Sequence, residues 1–184
     1  MVYTRTKGTL GGFSPHVEIN PQYDSDLRKL DGRWDLSAVL DKSTVVVVVG
    51  DSMVAELLDR IAAGILRDVI TQRGGQDPFR RAVIVGYHEW ATETKFHRNP
   101  TISIGSEAIN KLSGEIVRAR RAAGREPWPE GNQGFGALVQ STGSTGARVA
   151  LWGKSAADTR AVVEHYIQAP NGLHEFLEQY AEWK

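Results

Sequence analysis

Thr44-Val45-Val46-Val47-Val48-Val49-Gly50-Asp51-Ser52 is the stretch on which the fold turns. Valine is β-branched and stiff at χ1, so an unbroken valine run favours extended backbone. The run does not alternate apolar with polar, so both faces of the strand must be buried. That pattern belongs to a central strand of a parallel sheet covered by helices on both sides. Gly50-Asp51-Ser52 ends the strand sharply, and Asp51 or Ser52 is a credible N-cap for the segment that follows.

Apolar spacing downstream predicts a helix from about Met53 to Gln72, with Val54, Leu57, Leu58, Ile61, Ile65 and Val69 as its inner stripe. Gly74-Gly75 and Pro78 stop it. Arg81–Gly86 is a second buried-type strand, completing a βαβ unit whose crossover should be right-handed. Residues 87–99, with Tyr87, His88, Glu89, Trp90, Glu93, His97 and Arg98, read as a loop at its carboxyl end. Thr101–Ile104 is a third strand, broken by Gly105-Ser106. A helix from about Glu107 to Ala122 follows, with Ile109, Leu112, Ile116 and Val117 facing inward.

Gly124, Pro127, Pro129, Gly131 and Gly134 mark a loop. Gly136–Ser141 and Ala147–Trp152 read as a hairpin joined by Thr142-Gly143-Ser144-Thr145-Gly146. Ser155 with Asp158 resembles a capping box that opens a helix from Ala156 to Gln168. Leu173, Phe176, Leu177 and Tyr180 form the face of a last helix. Residues 1–32, rich in Gly and Pro, read as an extended or irregular N-terminal arm with a short strand around His16–Ile19. The segment Arg33–Leu40 fits a short helix or a strand equally. Together these elements predict a single α/β domain over residues 1–184. It is a three-layer Rossmann-like domain with a mixed but largely parallel sheet of about five strands and a C-terminal β-hairpin.

Composition narrows the function classes. Lys plus Arg is 22 and Asp plus Glu is 22, so the chain has no bulk field for nucleic acid or anionic lipid. With no cysteine, disulfides, thiol nucleophiles and Cys-ligated metals are excluded. Met1–Ser14 lacks the apolar run of a signal peptide, and the valine run is far too short to span a bilayer. A soluble, cytoplasmic protein is expected, with no nucleic acid and no membrane among its partners.

Ligands of open α/β sheets bind outside the carboxyl ends of the strands. That places a ligand-binding crevice at Asp51, Ser52, Tyr87, His88, Glu89, Ser106 and Glu107. Helix N-termini there suit a small anionic ligand. Ser52, Asp51, His88 and Glu89 are the catalytic candidates. His88, Glu89, Glu93 and His97 could hold a metal or move a proton, but their spacing matches no metal signature, and no metal is expected. Gly153-Lys154-Ser155 ends like a P-loop, yet Arg148 stands where its first glycine is required. Gly131 and Gly134-Phe135-Gly136 precede a hairpin rather than joining strand to helix. No cofactor is therefore expected. Trp90, Trp128 and Trp152 suit either stacking on a partner or closing the core edge. Arg118, Arg120, Arg121 and Arg125 sit at a helix C-terminus, a stabilising place for positive charge.

Two resemblances rest on quoted motifs. Gly50-Asp51-Ser52 resembles the first block of the SGNH (GDSL-type) hydrolases, which implies Ser52 as the nucleophile of an esterase. The Asp-x-x-His that supplies acid and base in that family has no counterpart here, nor does its Gly-x-Asn-Asp block. Pro100-Thr-Ile-Ser-Ile-Gly-Ser-Glu-Ala-Ile-Asn110 is similar to an IGGPAxN-type strand–turn–helix element of uncharacterised prokaryotic Rossmann-like proteins, some of them S-layer-related. Ser106 and Glu107 replace that element's second glycine and its proline. This resemblance implies the fold and no chemistry. The functional expectation is a non-catalytic ligand- or partner-binding domain acting as an accessory or regulatory subunit. The alternatives are a small hydrolase using Ser52 or the pair Asp51/Glu89, and a structural assembly protein that forms homo-oligomers.

Overall fold

The computed structural model describes residues 43–184 except 54, 78, 127, 131–133, 140–145, 182 and 184. The N-terminal arm, its strand at His16–Ile19 and the segment Arg33–Leu40 lie outside the described residues.

The valine run forms β1, Val45–Val49, with every side chain fully buried. At about 1.5–3 kcal/mol for each buried valine, this strand anchors the core. β1 pairs in parallel with β2 (Ala82–Gly86) on one side and with β3 (Thr101–Ile104) on the other. β3 pairs in parallel with β6, Arg148–Gly153. These four strands form an all-parallel sheet with helices, consistent with a Rossmann-like fold. β5 (Gly134–Val139) adds to β6, and β4 (Trp128–Glu130) adds to β5, both antiparallel. The order is β2-β1-β3-β6-β5-β4, six strands where about five were expected. The extra strand is β4, in a Pro- and Gly-rich segment that reads as loop because those residues are poor strand formers, although its partner β5 follows closely in sequence. The segment joining β5 to β6 is mostly outside the described residues.

Alternation along the strands assigns the helices to faces. Val45, Val47, Val49, Ile102, Ile104, Val149 and Leu151 share one core cluster with α1 (Arg60–Gly74), α4 (Ala156–Gln168) and α5 (Glu175–Tyr180). On the opposite face, Ser103 Oγ lies 2.9 Å from Ser113 Oγ of α3, Lys111–Ala122. The short helix α2 (Tyr87–Thr92) and a 3₁₀ turn (Thr94–Arg98) occupy residues read as a loop. Trp90 and Phe96 are buried beneath them. A polar sequence folded there because two aromatic side chains suffice to pin two short turns against a sheet.

Two helices differ from their expected form. The first opens as a wide π-type turn at Ala55–Asp59 before α1 begins. Its core face is Ala55, Ala62, Ala63, Leu66 and Ile70, whereas Leu57, Leu58 and Ile61 face solvent and Ile65 and Val69 are half-buried. Helical periodicity is present, but its phase is rotated from the expected stripe. Alanines meet the sheet in the first turns of the helix and Leu66 and Ile70 further on, while Leu57, Leu58 and Ile61 point outward. Val54 lies outside the described residues. The helix expected from Glu107 begins only at Lys111, after a tight turn. Ala156–Gln168 matches expectation, with Ser155 Oγ accepting the Asp158 N–H at 3.2 Å.

The delay before α3 has a cause. Asn110 is fully buried, and its Nδ2 donates to the Val48 carbonyl at 3.0 Å and to the Ile104 carbonyl at 2.9 Å. Its Oδ1 accepts the Leu112 N–H at 3.1 Å, which makes Asn110 the N-cap of α3. One amide therefore ties the carboxyl ends of β1 and β3 together and starts a helix. Asn110→Ala should cost about 2–4 kcal/mol, from two orphaned carbonyls and a lost cap. Urea unfolding should show a lowered midpoint. Asn110→Asp should not recover it, because a carboxylate accepts the cap bond but cannot donate to the two carbonyls.

Candidate functional site

The chain runs from β1 to β2 on one side and then back across to β3 on the other, so the β1/β3 border is a topological switch point. The parallel strands β1, β2 and β3 end on the same side of the sheet. Several of the predicted site residues make capping or packing contacts there.

Ser52 Oγ accepts the Ala55 N–H at 3.1 Å, the bond of a helix cap. The Asp51 carboxylate accepts the His88 N–H at 3.0 Å from both oxygens. It thereby satisfies an amide in the first turn of α2, which follows a different strand. Gly86 makes room for this contact, since a Cβ there would lie 2.8 Å from Asp51 Oδ1. Asp51 and Ser52 thus cap two different helices from adjacent positions.

Tyr87 donates its hydroxyl to Glu115 Oε1 of α3 at 3.0 Å. Burial, with the hydrogen bond and charge of Glu115, raises its pKa and keeps the phenol protonated. His88 is exposed, and its carbonyl accepts the Thr92 hydroxyl at 2.9 Å. Glu89 is half-buried, and burial followed by the charge of Glu93 raises its pKa against the opposing pull of Arg60. Ser106 uses its carbonyl to accept the Ile109 and Asn110 N–H groups, and Glu107 is exposed. That turn also brings the Ile109 carbonyl down onto Gly50, so closely that a Cβ at Gly50 could not fit. The Ile109 backbone therefore packs directly on the end of β1.

The four residues His88, Glu89, Glu93 and His97 do not form a cluster. His97 turns inward, with its Nε2 3.1 Å from the Trp90 carbonyl and its ring 4.2 Å from the Trp90 ring. Burial lowers its pKa. Among the described residues, no group of three His, Asp or Glu side chains is placed to hold a metal ion. The basic run closes its own helix: Gly124, with φ of 71°, lets the Arg125 N–H reach the Arg120 carbonyl at 3.0 Å.

The sequence reading missed Asp59. It lies in the wide turn, is 5% exposed, and its Oδ2 has no hydrogen-bond partner. A Cβ at Gly105 would lie 2.5 Å from that oxygen, and Gly105 has φ of 106°, so only glycine suits the position on both counts. Wide helical turns of this kind are rare and recur at functional sites. An aspartate inside an expected helix carries no periodic signal, so nothing in the sequence pointed to it.

No family model, curated protein or solved structure matches this chain.

Burial raises the Asp59 pKa above its ordinary value of 3.8. The folded chain therefore binds this proton more tightly than the unfolded chain does. The stability it contributes is complete below the unfolded value and is lost as pH rises through the folded one. Asp59→Asn should leave thermal stability near pH 3 unchanged (~3, below the unfolded carboxyl range). It should raise the melting temperature increasingly toward neutral pH. A melting temperature lowered equally at every pH would instead mean that the carboxylate has a stabilising partner.

Proposed function

We propose that this chain is a non-catalytic partner-binding α/β domain, acting as an accessory or regulatory subunit. It binds a protein partner through the outward face of the first helical segment. The frame is a three-layer Rossmann-like domain edged by the β5–β6 hairpin.

The observation that carries the reading is the inverted phase of that segment. Met53 is 79% exposed, Leu57 61%, Leu58 45% and Ile61 57%, while alanines occupy the core side. Four large apolar side chains in nine residues of surface are unusual for a face with no partner. They are also the natural anchors by which a helix meets an apolar groove. They stand beside Asp51 and Ser52, the end of the sheet where α/β domains bind.

The capping bonds support the non-catalytic reading. A serine nucleophile needs a base to take its proton. The bond recorded at the Ser52 hydroxyl is instead the one from the Ala55 amide, and Asp51 is turned to the His88 amide. The same geometry gives no particular support to hydrolysis.

The test compares the full chain with a Leu57→Glu/Ile61→Glu variant. Both sites are exposed, so the double change should leave stability within about 0.5 kcal/mol per site. The variant should lose defined partners that the unaltered chain retains through purification. Ser52→Ala should keep those partners and lose about 0.5–2 kcal/mol of stability with its cap. Esterase activity abolished by Ser52→Ala would overturn the proposal, as would partners indifferent to the glutamates.

A further inference from the structure

The opposite face of the sheet holds a group of side chains that the strand-end site does not use. Trp90 of α2 is 3% exposed, and the Arg148 guanidinium carbon lies 4.8 Å from its ring centroid. Arg148 opens β6 and pairs in register with Thr101, so its backbone is fixed by the sheet. The indole fixes its guanidinium through a cation–π contact. Tyr87 stacks near Trp90 at 6.4 Å, and Lys111 Nζ lies 5.8 Å over the Tyr87 ring.

Two N–H donors in this group are stranded. Trp90 Nε1 and Arg148 Nε are both buried, and neither has an acceptor. Folded chains rarely leave such groups unpaired, and a charged one least of all. Two neighbouring acceptors have other partners. The Trp90 carbonyl meets His97 Nε2, and Glu115 Oε1 takes the Tyr87 hydroxyl. Burial disfavours charge on Arg148, with Glu115 opposing. Lys111, Arg118 and Arg148 outnumber the carboxylates of Glu115 and Asp51 around Tyr87 and Trp90, so the local balance is positive. The ring contact holds the guanidinium plane, and the Nε edge of a guanidinium is one side of the fork that receives two oxygens of a planar anion.

We infer that Arg148 and Trp90 form a binding site for a small oxyanion, a carboxylate or phosphate group. The oxyanion accepts from Arg148 Nε–H and Trp90 Nε1–H. The site shares no residue with the proposed partner face, since Trp90 is buried and Met53, Leu57, Leu58 and Ile61 are exposed, and either reading can fail without the other.

The test is a titration of the ¹⁵N-labelled full chain by NMR at neutral pH. Sodium acetate and sodium phosphate are compared with sodium chloride at equal ionic strength. Trp90→Phe identifies the Trp90 indole resonance among those of the 5 tryptophans. The Trp90 indole and Arg148 Nε–H resonances should move together along a saturating curve with acetate or phosphate and stay still with chloride. Arg148→Gln should abolish the movement at Trp90. Stronger saturation by acetate assigns a carboxylate, and stronger saturation by phosphate assigns a phosphoryl group. Resonances that stay still with both anions would overturn the proposal and mean that ordered water meets the donors. An equal movement with chloride would overturn it as ionic screening. Should Arg148→Gln fail to fold, the titration of the unaltered chain decides alone.

Discussion

The structure depends on the side-chain amide of Asn110. Parallel strands leave their last carbonyls unpaired wherever the neighbouring strand turns away, and at a switch point both neighbours do so. Asn110 supplies two donors to those carbonyls and one acceptor to the helix that follows. Because it is fully buried, these bonds act in a low-dielectric setting where an unpaired carbonyl is costly. The position of α3, the short turn after β3 and the closeness of Ile109 to Gly50 all follow from that amide being where it is.

The same economy of polar groups places several residues at the strand ends. Each helix at this end needs acceptors for its first amides. Ser52 serves its own helix, Asp51 serves the helix after the next strand, and Ser155 serves α4. Small hydroxyl and carboxylate residues at these strand ends thus serve as caps. Asp59 is the exception. Its buried, unpartnered oxygen beneath Gly105 answers no structural need, and the wide turn that carries it rotates the start of α1. That rotation turns Leu57, Leu58 and Ile61 to solvent.

Much of the fold was legible residue by residue. The valine run could only be a doubly buried strand, and the Ser155 cap and the α4 boundaries follow from local chemistry. The inner face of α3 at Leu112, Ile116 and Val117 was readable from spacing. The site was less legible. Asp51, Ser52, Tyr87, His88 and Glu89 do gather at the strand ends, but whether a polar atom faces a ligand or a backbone amide depends on partners far away in sequence. Arg148 was noticed only as a residue that breaks a P-loop, and its place over Trp90 comes from the pairing of β6 with β3.

The sequence by itself determined the central strand, the βαβ order and the periodicity of the helices, because these arise from side-chain shape and neighbours within one or two turns. Only the tertiary structure decided the phase of the first helix. Periodicity ranks Leu and Ile above Ala for the core. The wide turn at Ala55–Asp59 resets the phase, so that Ala62, Ala63, Leu66 and Ile70 meet the sheet while Leu57, Leu58 and Ile61 face outward.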